Sequence, residues 1–140
     1  MYTGQCLCGG VKYKIEGRFP EKYGQLPLPT YCHCKMCQRL SGSAFTVGSM
    51  VLNSQFSFLQ GENLIKPYQS SSGIYRSFCS ECGSSLLFQS DHEPGITYLN
   101  IGAIDEPLDA KPRSHIFVAD KASWYDINDE LPQFDAYPED

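Results

Sequence analysis

The chain has 140 residues, 41% of them hydrophobic, and carries eleven lysines and arginines against sixteen acids for a net charge of −5. That length suits a single domain over 1–140 with its own core, and the lack of any run of about 18 apolar residues argues against a membrane span. The charge imbalance is local: residues 120–140 hold seven acids against Lys121, whereas the rest is nearly balanced, so no basic stripe offers a polyanion a footprint and no nucleic-acid partner is expected.

The first residues, Met1-Tyr2-Thr3-Gly4-Gln5-Cys6, lack the basic-then-apolar order of a secretory signal. From Gly10 to Gly17 apolar and polar side chains alternate, the period of two that buries one face of a strand. Between Arg18 and Tyr31, Pro20, Pro27, Pro29 and Gly24 remove backbone donors and fix dihedrals, which predicts a loop. Gln38-Arg39-Leu40-Ser41-Gly42 reads as a short helical turn closed by glycine, ahead of a strand from Ser43 to Val51. The segments 55–60, 74–78, 85–89, 96–101 and 114–118 are short, rich in β-branched and aromatic residues, and separated by turn formers such as Gly61, Ser70-Ser71-Ser72-Gly73 and Glu93-Pro94-Gly95. No segment keeps a helical apolar period for three turns, so the expected fold is mostly β with helix in one or two short pieces. The end, from Trp124 to Asp140, mixes aromatics with acids. We expect residues 120–140 to form an acidic tail whose rings pack on the domain while its carboxylates stay wet.

All seven cysteines fall in three clusters: Cys6-Leu7-Cys8-Gly9-Gly10, Cys32-His33-Cys34-Lys35-Met36-Cys37 and Cys79-Ser80-Glu81-Cys82-Gly83. An odd number in tight groups does not suit a secreted disulfide scaffold and points to metal in a reducing, cytoplasmic setting. Zinc takes thiolates in a tetrahedron, and two sulfurs one or two residues apart reach one ion from a tight turn; Gly9 and Gly83 supply the positive dihedral such turns use. Cys6, Cys8, Cys79 and Cys82 thus make a closed, structural four-thiolate site. Cys32, Cys34 and Cys37 make three ligands with one position open, the pattern of a reactive zinc, for two zinc ions per chain. A redox reading of the Cys79/Cys82 pair requires a following helix that nothing here supplies. His33 lies between two ligands of the trio and is expected to point away from the ion; His92 reads as a solvated loop residue, and His115 as either a site neighbour or a satisfied structural histidine.

These motifs, with Phe78-Cys79-Ser80-Glu81-Cys82-Gly83 and the later Pro112-Arg113-Ser114-His115-Ile116 through Trp124 to Leu131-Pro132-Gln133-Phe134, resemble the glutathione-dependent formaldehyde-activating enzyme family, which includes centromere protein V-like proteins. The resemblance spans nearly the whole chain. It implies an Mss4-like β-tent of short antiparallel sheets, similar also to methionine sulfoxide reductase B. It implies the same division of cysteines between structural and catalytic zinc, and a carbon–sulfur lyase activity on an adduct of glutathione or a similar thiol with an aldehyde or other small electrophile. Arg39, Ser41, Gly42 and Ser43, just after the trio, are the expected substrate contacts. A second reading is a non-catalytic zinc-stabilised binding module of the Mss4 kind. Sulfoxide reductase chemistry needs a free nucleophilic cysteine, and the ligand arithmetic leaves none.

Overall fold

A computed structural model of the chain describes residues 1–139; Asp140, the last acid of the expected tail, lies outside them. Among the described residues there are twelve short strands, numbered here in chain order, and one α-helix, so the mostly-β expectation holds. Among the described residues no helix is long and apolar enough to cross a membrane. Packing divides the chain into two compact units, one of residues 1–19 and 50–108, the other of residues 20–49 and 109–140.

In the first unit β1 (Tyr2–Gln5), β2 (Lys12–Ile15) and β7 (Phe56–Gln60) form an antiparallel sheet in that order. The alternation foreseen after Gly10 is what buries Val11, Tyr13 and Ile15 while Lys12 stays exposed. A run of antiparallel neighbours joins β8 (Ile65–Ser71), β9 (Ile74–Cys79), β10 (Ser85–Ser90) and β11 (Ile96–Asn100). Val11, Tyr13, Ile15, Val51, Leu86, Leu87 and Leu99 make this unit's core, and Cys6 and Cys79 belong to it. Two metal-ligand candidates are therefore anchored in packed apolar structure and do not sit on free loops.

In the second unit the stretch expected as a loop holds the ribbon β3 (Lys22–Tyr23) and β4 (Leu26–Pro27), then β5 (Thr30–Cys32). Pro27 is accommodated because each strand of a two-stranded ribbon has an unpaired edge, where a missing N–H costs no ladder bond; Pro29, after a cis peptide bond, precedes β5. Strand β5 lies antiparallel to the start of β6 (Thr46–Leu52) and parallel to β12 (Ser114–Ile116), so that Cys32 faces Thr46 on one side and Ile116 on the other. The helix α1 (Lys35–Ser41) starts earlier than the turn expected from Gln38, and Gly42 closes it in the left-handed region at φ 68°. The polar segment beyond β12 is tied back by its backbone: His115 donates to Pro132 O, and Phe134 donates to His115 O. Its Trp124 and Tyr137 rings nevertheless stay exposed.

Candidate metal centres

Two hairpin turns of the first unit bring together Cys6, Cys8, Cys79 and Cys82, whose sulfurs all lie within 4.8 Å of one another. The turns are built alike. Between β1 and β2, Gly9 N–H donates to Cys6 O, and between β9 and β10, Gly83 N–H donates to Cys79 O; both glycines take a positive φ, 76° and 80°. A side chain other than glycine would strain either turn, the conformational need read from the sequence. The backbone also aims donors at sulfur: Val11 N–H lies 3.3 Å from Cys6 Sγ and Gly10 N–H 3.4 Å from Cys8 Sγ. Leu7 N–H donates to Ser84 Oγ at 2.8 Å and so laces one turn to the other.

Metal–sulfur bonds of about 2.3 Å in a tetrahedron set neighbouring sulfurs roughly 3.8 Å apart. The Cys6–Cys8 and Cys8–Cys79 separations are 3.5 and 3.9 Å, and none of the seven cysteines is in a disulfide. The donor set therefore fits a tetrahedral metal. Its electrostatics agree. The Ser84 hydroxyl, then the Ser84 and Cys8 N–H groups, hold the Cys82 thiol down at about 5. Gly10 N–H favours the Cys8 thiolate, but the crowding thiols, Cys6 foremost, push it up to about 12. Four sulfurs this close cannot all ionise unless a cation offsets their repulsion.

In the second unit Cys32, Cys34 and Cys37 likewise lie with their sulfurs within 4.8 Å of one another, and among the described residues no further His, Cys, Asp or Glu joins them. Cys32 closes β5. Cys34 is the N-cap of α1 and its Sγ accepts from Cys37 N at 3.3 Å, so cap geometry and helical rise place the first-turn Cys37 over it. Gln38 Nε2 donates to His33 O and to Asp120 O, fixing the turn from behind. Its hydrogen bonds with the neighbouring Cys34 and then Cys37 thiols, followed by burial, push the Cys32 thiol up. Of the expected substrate contacts, Arg39, Ser41, Gly42 and Ser43 are all exposed at the end of α1. The Ser41 hydroxyl donates to Cys37 O at 2.8 Å and accepts from Ser43 N, and in this way bolts the helix end to the last ligand.

His33 is fully buried, and its Nε2 lies 2.8 Å from His115 Nδ1 rather than in the sulfur cluster. His115, also buried, places Nε2 3.0 and 3.1 Å from the two oxygens of Asp129. Asp129 is an ionised acceptor, held below the usual carboxylate range chiefly by its bond to His115. Burial above all, with the Lys121 ammonium adding to it, lowers His33 to about 4. This buried array could not be read from the sequence: 82 residues separate the two histidines, and Asp129 looks like any wet acid of the tail. His92, as expected, is exposed.

The family model of the glutathione-dependent formaldehyde-activating enzymes matches residues 1–120. A curated Halomonas elongata protein described under that family name is 24% identical over 148 residues, covering 100% of this chain and 90% of the relative. A protein of Schizosaccharomyces pombe described as an uncharacterised lyase is 26% identical over 133 residues, covering 95% and 90%. The crystal structure of a Rhodobacter sphaeroides protein matches with a TM-score of 0.59 at 20% identity, over 79% of this chain and 92% of the other; it supports the fold.

Proposed function

The chain belongs to the glutathione-dependent formaldehyde-activating enzyme family, and from that premise we propose that it is a zinc-dependent carbon–sulfur lyase acting on an adduct of glutathione, or a similar thiol, with a small aldehyde. The observation that carries this reading is the trio Cys32, Cys34 and Cys37, clustered with no fourth side-chain ligand among the described residues. A zinc ion held by three thiolates supplies a Lewis-acidic open position, at which a thiol sulfur is favoured as thiolate or an aldehyde oxygen is polarised.

The remaining work falls to this chain. Cys32, Cys34 and Cys37 fix the open position relative to β5 and α1. Arg39 meets a carboxylate of the thiol substrate, a pairing that suits its fork of donors, while Gly42 and Ser43 leave room and a polar edge beside it. In the forward direction the thiol S–H is lost, the S–C bond forms at the carbonyl carbon, and the proton ends on the new hydroxyl oxygen; cleavage reverses each step. The four-thiolate site, distant from this chemistry along the chain, is structural.

The test is a screen of glutathione–aldehyde adducts, formaldehyde's included, against zinc-loaded wild type and Cys34→Ser. Turnover of at least one adduct that tracks zinc at the trio supports the proposal. No turnover, with no binding of any small thiol to fully loaded protein, overturns it in favour of a binding module.

A further inference from the structure

We propose that His33, His115 and Asp129 are positioning residues for the Cys32–Cys34–Cys37 centre, a hydrogen-bonded wire that locks the turn carrying two of its three sulfurs. The inference rests on the reading of the trio as a metal site.

The direction of the wire follows from its outer end. A carboxylate only accepts, so Asp129 requires a proton on His115 Nε2. With His115 as the neutral ring its Nδ1 is an acceptor, and His33 Nε2 donates to it across 2.8 Å. His33 Nδ1, which has no hydrogen-bond partner, is left as a bare lone pair instead of a stranded N–H. One surface carboxylate, its side chain 42% exposed, thus sets the tautomer of two buried rings.

The rings are also clamped sideways. Tyr31 stacks on His115 with centroids 4.6 Å apart and a 15° tilt, and Phe45 meets His33 edge-on at 5.5 Å. The backbone of His33 is held as well, donating to Ile116 O and accepting from Gln38. With main chain and ring both fixed, the direction of the Cα–Cβ bond at residue 33 is fixed. In an extended turn the side chains of Cys32 and Cys34 leave on the side opposite to it. Holding the His33 ring inward therefore holds the two sulfurs outward and together. Groups that orient metal ligands from behind in this way typically contribute about 10- to 100-fold in metal affinity.

The experiment loads wild type, Asp129→Asn, His33→Leu and His33→Gln with cadmium, records the cadmium NMR resonances, and measures transfer of zinc from the same proteins to a chelating indicator. Cys37→Ser assigns the trio's resonance. We expect His33→Leu to release zinc from the trio about 10- to 100-fold faster and to shift that resonance alone. Asp129→Asn should do the same to a smaller degree, and His33→Gln, whose amide N–H replaces the Nε2 donor, should stay near wild type. If the trio's resonance and release rate are unchanged in both His33→Leu and Asp129→Asn, the positioning role is wrong while the metal site stands. If wild type binds cadmium at the four-cysteine site alone, both are wrong. A His33→Leu protein that fails to fold leaves the decision to Asp129→Asn, whose substitution is at the surface.

Discussion

The Sγ atoms of Cys8 and Cys79 lie 3.9 Å apart although 71 residues of chain separate them. Closing a loop of that length costs about 4 kcal/mol of chain entropy. A structural zinc contributes roughly 10–16 kcal/mol of apparent binding energy in small peptides, so the ion outweighs the closure. Cys82→Ser should therefore abolish cooperative unfolding at ambient temperature. Cys37→Ser should retain a folded β spectrum and a transition within a few degrees of wild type. Circular dichroism melts of both variants check this; equal unfolding of the two would refute the division of labour between the clusters.

Metal removal should proceed in two phases. A closed four-thiolate site has no vacancy through which a chelator can enter, whereas the trio has one. Zinc-loaded protein should contain two ions per chain, one captured quickly by a chelating indicator and one slowly, with the slow phase alone surviving in Cys37→Ser. A saturated stoichiometry of one ion would remove the second site.

Glu106 reports on acid stability. Its two oxygens accept from Thr3 N–H at 2.6 Å and from the Thr3 hydroxyl at 2.7 Å. These bonds, the N–H first, hold its carboxyl below the usual range. A depressed carboxyl contributes stability above its unfolded value, about 4.3 for glutamate, and loses it as pH falls through the lower folded value. Urea midpoints of Glu106→Gln should lie below wild type from pH 7 to about 5, and the gap should close below about pH 4. A gap that persists at pH 3 would mean that charge has no part in it.

Tyr13 offers the opposite case. Its ring stacks on Phe56 with centroids 5.2 Å apart, and its hydroxyl is buried without a hydrogen-bond partner. A buried unsatisfied polar group costs about 1–3 kcal/mol. Tyr13→Phe keeps the ring and removes the group, so it should raise stability by about 1 kcal/mol after a small loss of packing. Chemical denaturation checks the sign, and a destabilised variant would show that the hydroxyl is satisfied in solution.

Period and composition alone carried a good part of the architecture. The strand after Gly10, the segments near 56, 74, 85, 96 and 114, and the helix end at Gly42 were legible because each is a local matter of alternation, branched side chains or a glycine dihedral. So were the three cysteine groups, since ligand spacing within a turn is a local property too. Strands β3 and β4 escaped the same reading because proline is an obstacle inside a sheet but not on a ribbon edge, and edge position is decided by the neighbours; β5 holds only three residues, directly after Pro29, and owes its strand to β6 and β12 on either side. Which half-sites meet, Cys6 and Cys8 with Cys79 and Cys82, became geometry where the β1–β2 and β9–β10 turns are laced together by the Leu7 N–H to Ser84 hydroxyl bond. The partnership of His33 with His115 and Asp129 belongs wholly to the tertiary structure. The parallel pairing of β12 with β5 sets His115 opposite Tyr31, within reach of the next ring, and the returning backbone at Gln133 delivers Asp129. No local pattern encodes a hydrogen bond whose partners are chosen by strand register.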